Sequence, residues 1–320
     1  MNTSKNWHGK PYYSLDAYCK NQLGYKCYKI ALNAGMTCPN RDGTLGTRGC
    51  VFCSVGGSGD FAATGDSITE QLEQGKALFG GKNIGEHYIA YFQAYTNTYA
   101  PIDYLRRIYT EALSQKEICG ISIATRPDCL DPEVLDLLKE LQQQYAPKFL
   151  WIELGLQTIH EETAEYIRRG YALSCFENAV STLATYGIPY IVHVIIGLPG
   201  ETPNMIYETI QYLNTCNPFG IKLQLLHILS DTDLGQEYLS GHIDTYEKEE
   251  YLEILIHCLE LLSPDIVIHR LTGDGPKDLL LAPRWSLNKR DVLNTLHHKM
   301  KKANTFQGRL FHATGSIDTL

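Results

Sequence analysis

The chain has 320 residues, 44% of them hydrophobic, with a net charge of −8 and ten cysteines. That composition supports a full apolar core in one large α/β domain or two small ones, and no apolar run approaches the roughly 20 residues of a membrane helix. Ten cysteines behind a start, Met1 to His8, without an apolar leader argue against a secreted disulfide framework and point to a cytoplasmic protein with no membrane partner.

The charge is uneven. Residues 1–37 hold five Lys against one Asp, and residues 280–312 hold seven Lys and Arg against one Asp, so the body between them is strongly acidic. An acidic body with two basic ends is the pattern of a protein that grips a polyanion, although solvated helix faces give the same counts.

In chain order, the first chemical signal is Cys38, eleven residues of loop, then Cys50-Val51-Phe52-Cys53. A structural zinc site takes four Cys or His ligands; this loop offers three and no fourth. Three thiolates suggest a metal centre with one open position, such as a four-iron cluster whose free iron binds a small molecule. The alternatives are buried thiols, or a three-thiolate zinc site completed by a distant His. The intervening residues 39–49 are turn-rich, and Phe52 would shield a cluster edge from solvent. The other seven cysteines are scattered and read as small buried hydrophobes.

Beyond this loop, helix and strand signals alternate. Ser67-Ile68-Thr69-Glu70 is a capping box opening a helix that runs to about Phe79, and residues 87–93 form a strand. Residues 101–116 form a helix with Ile102, Leu105, Ile108 and Leu113 on one face, followed by a strand at 120–125. Asp131-Pro132 starts the next helix, and residues 149–156 form a strand. Ser174-Cys175-Phe176-Glu177 is a second capping box for a helix ending at Gly187. A strand at 190–196, a helix at 202–216 and a strand at 220–226 complete the series. Such alternation predicts parallel βαβ units. About six of them make an incomplete (β/α)6 TIM-like barrel, an α/β fold with chemistry at the C-terminal strand ends. Residues 38–262 are then the barrel, 1–37 a basic N-terminal extension and 263–320 a basic C-terminal substrate-binding extension. Trp7, Tyr12, Tyr13 and Trp285 lie in or beside the basic ends, where aromatic groups among Lys and Arg suit base stacking, although such residues also serve the core.

The polar strand ends are Phe92-Gln93-Ala94-Tyr95-Thr96-Asn97, Ala124-Thr125-Arg126-Pro127-Asp128, Glu153-Leu154-Gly155-Leu156-Gln157 with Arg168-Arg169-Gly170 downstream, and His193-Val194-Ile195-Ile196-Gly197-Leu198-Pro199-Gly200. With the cysteine loop, they resemble the radical S-adenosylmethionine (radical SAM) superfamily. The loop Cys38-Pro39-Asn40-Arg41-Asp42-Gly43-Thr44 and the segment His269-Arg270-Leu271-Thr272-Gly273-Asp274 narrow the resemblance to the elongator-related branch and its bacterial YhcC/YtqA-like group.

That resemblance implies a [4Fe–4S] cluster on Cys38, Cys50 and Cys53 with S-adenosylmethionine (SAM) on the fourth iron. It implies SAM contacts from Gln93, Glu153, Gln157, Arg169, His193 and Gly197. Two positions depart from relatives, Ala124 where Glu is frequent and His193 where Asp is, and Glu153 is expected to take over a ribose hydroxyl. The implied function is modification of the C5 side chain of the wobble uridine of tRNA, converting 5-carboxymethylaminomethyl-(2-thio)uridine to 5-aminomethyl-(2-thio)uridine. Arg126 or Arg270 would hold the substrate carboxylate as catalytic-site residues. Expected partners are tRNA, an electron donor such as flavodoxin or ferredoxin, and a methyltransferase acting on the product. A radical SAM enzyme for a small metabolite or peptide, and a zinc-bearing RNA-binding adaptor, are the competing readings.

Overall fold

The computed structural model describes residues 7–79 and 86–312; Lys5 of the basic N-terminal segment lies outside them. Nine strands are present among those residues: β1 (Tyr28–Leu32), β2 (Tyr88–Phe92), β3 (Ile118–Thr125), β4 (Phe149–Gln157), β5 (Tyr190–Ile196), β6 (Gly220–Leu225), β7 (Ile228–Leu229), β8 (Val267–Arg270) and β9 (Leu280–Ala282). Ten α-helices accompany them: α1 (Leu15–Leu23), α2 (Ile68–Ala77), α3 (Ile102–Ser114), α4 (Pro132–Gln144), α5 (Glu161–Tyr166), α6 (Leu173–Tyr186), α7 (Pro203–Cys216), α8 (Asp233–Leu239), α9 (Lys248–Leu261) and α10 (Lys289–Lys302).

Seven strands form one parallel sheet in the order β1-β2-β3-β4-β5-β6-β8, curled into a half-barrel. Strands β2–β6 are the five that the sequence predicted, and β1, paired with β2, is a sixth. β8 is a seventh, and it pairs with β6. The sheet therefore draws a strand from each of the segments that read as extensions. Residues 28–32 and 267–270 are short runs interrupted by Lys29, His269 and Arg270, too brief for periodicity to separate from loop. Neither outer edge is bare. Ile268 N–H donates to Tyr13 O (2.7 Å), and Ala63 N–H donates to Ala31 O (2.9 Å). Such bridges cover strands that would otherwise pair with another chain.

Strand residues alternate between the two faces. Ile121, Ile123, Leu150, Ile152, Leu154, Val192, Val194, Ile221 and Leu223 join the large apolar core with helix residues such as Leu105, Leu138, Phe176 and Leu255. The opposite face, inside the half-barrel, starts apolar. Ile89, Trp151 and Ile191 form a plug with Cys19 and Cys27, and Phe149 stacks on the Trp151 ring at 3.9 Å. Two residues further along β4 the same face carries Glu153, and the interior becomes charged.

Helix boundaries follow their caps. Ser67 accepts from Glu70 N–H (3.1 Å), Thr202 caps α7 and Gly187 closes α6 in the left-handed region. The capping box expected at Ser174 is not formed. α6 begins at Leu173, with Ala172 as N-cap, and the Leu173 N–H is satisfied by Glu161 Oε1 (2.6 Å), so Ser174 lies inside the first turn.

Trp151 is 1% exposed and fills the closed end of the half-barrel. Trp151→Ala should lower the unfolding free energy by about 3–5 kcal/mol, read by urea denaturation of the cluster-free protein; a loss below about 1 kcal/mol would mean that the plug does not stabilise the sheet.

Candidate functional site

The 38–53 loop is closed on itself by backbone bonds, with Arg41 and Asp42 N–H donating to Cys38 O and Cys53 N–H donating to Cys50 O (3.0 Å). It is docked at both sides, since Val51 N–H donates to Ile167 O (3.2 Å) and Val51 O accepts from Leu234 N–H (3.0 Å). Two side chains of the loop brace it. Arg41 donates to Cys53 O (2.9 Å) and Ser54 O (2.6 Å), and Asn40 Nδ2 donates to Arg168 O (2.8 Å) and lies 3.5 Å from Cys50 Sγ. Gly170, at φ +82°, admits Asn40: a Cβ there would stand 2.6 Å from Asn40 Oδ1.

All three thiols line one cavity of about 180 Å³. Gln93, Arg126, Glu153, Gln157, Arg169, His193 and Arg270 line the same cavity. Ten of the eleven site residues expected from the sequence thus converge. Gly197 is the exception. It follows β5 at φ +96°, and a Cβ on it would meet the Tyr246 ring at 3.3 Å instead of a cavity.

The floor of the cavity is a charged network inside the half-barrel. Glu153 is wholly buried, and its carboxylate accepts from Lys29 on β1 (2.6 Å), Ser122 on β3, His193 Nε2 on β5 (2.7 Å) and Lys222 on β6. Burial alone would raise this carboxyl, but Lys222, Lys29 and His193 outweigh it and hold it well below the usual carboxylate range. Lys222 also donates to Tyr91 OH (2.8 Å). Burial pushes His193 down to about 4, reinforced by Lys222 and opposed by Glu153, so it is a neutral donor to that carboxylate. Lys29, Lys222, Ser122 and Tyr91 escaped the sequence reading. A lone Lys in a short apolar run was their only signal.

Around the mouth, side chains differ in how much hydrogen-bonding capacity they have spent. Arg126 is consumed by Asp128 (2.9 and 2.7 Å) and Arg169 O (3.1 Å). Arg169, 2% exposed, donates to the carbonyls of Leu156, Thr158 and Tyr171 and to Glu161. Gln93 Nε2 is held by Ser58 O (2.6 Å). Gln157 is different. It sits at φ +68°, where the β4–β5 register slips, and its Oε1 is buried without a partner. A non-glycine residue in that region is strained, and an orphaned buried oxygen is costly, so this carbonyl is an unmet acceptor at the cavity wall. Arg270 also has capacity to spare. Its guanidinium makes no hydrogen bond among the described residues and lies 3.7 Å from Asp274.

A second cavity of about 600 Å³ adjoins the first, sharing Phe52, Cys53, Tyr91, Gln93, Gln224 and Arg270, and adding Lys29, His227, Asp274 and Lys289. Three thiols beside an orphaned acceptor, opening onto a larger polar chamber, suit a cluster with an exchangeable position, a small organic co-ligand and a separate substrate.

Of the aromatic residues of the basic ends, Trp7 is partly buried against Tyr13, Ala17 and Val267, and the other three are engaged within the fold. Tyr12 and Tyr13 are buried, with Tyr12 OH 2.9 Å from His297 Nε2, and Trp285 donates to Tyr246 O (3.1 Å) and lies against Tyr251. Among the described residues, no helix is long and apolar enough to cross a membrane.

Residues 43–213 match the model of the radical SAM superfamily, and residues 218–302 match that of the radical SAM C-terminal domain. The uncharacterised protein YtqA of Bacillus subtilis is 41% identical over 304 residues, 94% of this chain and 93% of its own length. A tRNA uridine(34) acetyltransferase of Methanocaldococcus jannaschii is 25% identical over 166 residues, 51% of this chain and 29% of its own. The Elp3 structure from Methanocaldococcus infernus, at 15% identity, shares the fold with a TM-score of 0.63, over 88% of this chain and 64% of that one.

Two consequences are measurable. Glu153→Gln leaves Lys29 and Lys222 without a buried counter-charge and should destabilise the protein by about 3–5 kcal/mol, seen as a lower urea midpoint; an unchanged midpoint would mean that the network is energetically idle. His193 and His227 are both pushed down to about 4, first by burial. Unfolded imidazoles protonate near about 6.5, so their contribution is present above that pH and is lost as pH falls from about 6.5 toward 4. The Tm of cluster-free protein should therefore decline over that window, and less steeply in His227→Gln.

Proposed function

The chain belongs to the radical SAM superfamily, and on that premise we propose that it modifies the C5 side chain of the wobble uridine of tRNA, converting 5-carboxymethylaminomethyl-(2-thio)uridine to 5-aminomethyl-(2-thio)uridine. Members of the family bind a [4Fe–4S] cluster and SAM. Cys38, Cys50 and Cys53 are the residues that would hold the cluster. When bound, the pair supplies a 5′-deoxyadenosyl radical that takes a hydrogen atom from a substrate C–H bond.

The chain's own residues do the positioning. Gln157 offers its unpartnered oxygen to SAM, and Gln93 and His193 bound the same cavity. Arg169 shapes the wall through its carbonyl bonds and keeps little capacity for a ligand carboxylate. The observation that carries the substrate reading is Arg270, a guanidinium free of hydrogen bonds among the described residues, where the cofactor cavity meets the larger chamber. It suits a carboxylate held by two parallel N–H bonds, and Arg126, already paired with Asp128, does not compete. The chamber is of the size that accepts a nucleoside, and the resemblance to a tRNA uridine(34) acetyltransferase supports uridine 34 as the target.

The conversion oxidises the glycine-like CH2 by two electrons, balanced by reductive cleavage of SAM to methionine and 5′-deoxyadenosine, and water supplies the oxygen of the glyoxylate released. A flavodoxin or ferredoxin would deliver the priming electron, and a methyltransferase would act on the aminomethyl product. Exposed Arg290, Lys301 and Lys302 on α10 would meet tRNA phosphates, whereas Lys299 is paired with Glu249 and Lys289 with Asp274.

Nucleoside mass spectrometry of tRNA from cells lacking the gene should show the carboxymethylaminomethyl form accumulating and the aminomethyl series disappearing; an unchanged profile would favour a small-metabolite or peptide substrate. Replacing Cys38, Cys50 or Cys53 by Ala should eliminate iron and sulfide from anaerobically purified protein, while Cys258→Ala retains both. Arg270→Gln should keep the cluster and weaken substrate affinity about 10- to 100-fold, as expected when one charge-assisted hydrogen bond is removed. Lys301→Ala with Lys302→Ala should flatten the salt dependence of tRNA binding by about 0.7–0.9 in log–log slope for each phosphate no longer neutralised.

A further inference from the structure

The segment from Arg270 to Gly275 is built around one side chain, His227, which follows the C-terminal end of β6. A Cβ on Gly273 would stand 2.4 Å from Cε1 and 2.6 Å from Nδ1 of His227, and one on Gly275 would stand 3.2 Å from Cδ2. At Gly273 only glycine leaves room for the ring, while a side chain at Gly275 would crowd both the ring and Leu280 Cδ1 (3.1 Å). Asp274, between them, binds Lys289 Nζ with both oxygens (2.8 and 2.6 Å).

The contacts of Nε2 bear on the tautomer. His227 Nε2 lies 3.0 Å from Ser286 Oγ, and Ser286 donates its hydroxyl hydrogen to Pro283 O at 2.7 Å. Pro283 O also accepts from Ser286 N–H (3.2 Å); with the single hydroxyl hydrogen placed on Pro283 O, Nε2 carries the imidazole proton and donates it to Oγ. Nδ1 is then an unprotonated acceptor. It has no hydrogen-bond partner among the described residues and keeps access to solvent. His227 lines the 600 Å³ chamber together with Cys53, Gln93 and Arg270. Burial, opposed by Asp274 and reinforced by Arg270 and Lys289, pushes the imidazole down to about 4, which keeps it the free base at neutral pH.

We propose that His227 is the proton-transfer residue of the substrate chamber, taking a proton through Nδ1 from the water that hydrolyses a carbon–nitrogen double bond in the substrate and returning it to the departing nitrogen. This rests on the reading of the substrate given above. After hydrogen-atom removal, and with the second electron returned to the carrier that supplied the priming electron, the substrate is an iminium, R–NH⁺=CH–COO⁻. Water forms a C–O bond as the C=N π pair moves to nitrogen, and its proton passes to Nδ1. The imidazolium then protonates that nitrogen, the C–N bond breaks toward it, and the hydroxyl proton passes to the released amine as the aldehyde forms. The sum is iminium plus water giving R–NH3⁺ plus glyoxylate, with no net oxidation and His227 restored.

The test uses the holoenzyme and tRNA whose glycine-like CH2 carries two deuteriums. Wild type should move deuterium into 5′-deoxyadenosine and release an equal amount of glyoxylate. His227→Gln should still move deuterium while glyoxylate formation falls about 100-fold, the low end of the general acid–base contribution. Glyoxylate at the wild-type rate, or loss of deuterium transfer together with glyoxylate in a folded variant, overturns the proposal. No deuterium transfer by wild type overturns the substrate reading instead. Should His227→Gln not fold, Ser286→Ala keeps the imidazole but frees its tautomer. It should slow glyoxylate release about tenfold with deuterium transfer retained, and no change in release overturns the assignment. Independently of turnover, ¹⁵N NMR of cluster-free protein should show His227 protonated on Nε2 alone between about pH 6 and 8; a proton on Nδ1 overturns the proposal.

Discussion

One buried carboxylate organises this molecule. Glu153 sits in the middle of β4, inside the half-barrel, and receives donors from β1, β3, β5 and β6. Only β3 and β5 are its neighbours in the sheet. The side chains of Lys29 and Lys222 therefore reach across the curl of the sheet and draw its distant strands toward one point. A charge removed from water is expensive unless every lone pair is met, and here the cost becomes geometric selectivity: a slip of one residue in any of these strands would turn the donor to the outer face. Beneath the network lies the Trp151 plug, and above it the polar mouth, so the interior is graded from dry to charged to open.

The mouth shows where the fold carries strain. Tyr95, Gln157 and Arg168 all have positive φ, and each flanks the thiol cavity through strand ends or the turn at Gly170. Such residues persist only where the surroundings over-determine them. The surroundings here are explicit, because Tyr95 OH is held by Val55 O (2.5 Å) and Arg168 O by Asn40. The cysteine loop is thus fixed by the same residues that distort the strand ends.

Much of this was legible in the residues. The cysteine spacing, with the family resemblance carried by the polar strand ends and the 269–274 segment, pointed to ten residues that line one cavity, and the alternation of helix and strand predicted β2 to β6. What escaped had physical causes. β1 and β8 are too short for a period to register. Lys29 counted as part of a basic terminus because nothing local distinguishes a buried Lys from a solvated one until its carboxylate, 124 residues away, is in place. Ser174 mimicked a cap because Glu161, from the preceding helix, had already satisfied the helix start. The terminal aromatics fitted RNA stacking by composition, but a ring between Lys residues reads the same whether it faces solvent or, like Tyr12, the core. His227 gave no signal because its significance lies in Gly273, Gly275 and Ser286, which only the fold brings together.

The Glu153 network also bears on modularity. The segment that matches the superfamily model, residues 43–213, contains Ser122, Glu153 and His193 but neither Lys29 nor Lys222. Excised at those limits, the segment would bury a carboxylate stripped of both its ammonium partners, and it would also lack Cys38. During N-to-C synthesis the interior stays electrostatically incomplete until β6 has been made and can close over it, which makes the half-barrel a single cooperative unit dominated by pairings distant in sequence. A domain that is portable as a pattern of sequence is, in this chain, not portable as a folded object.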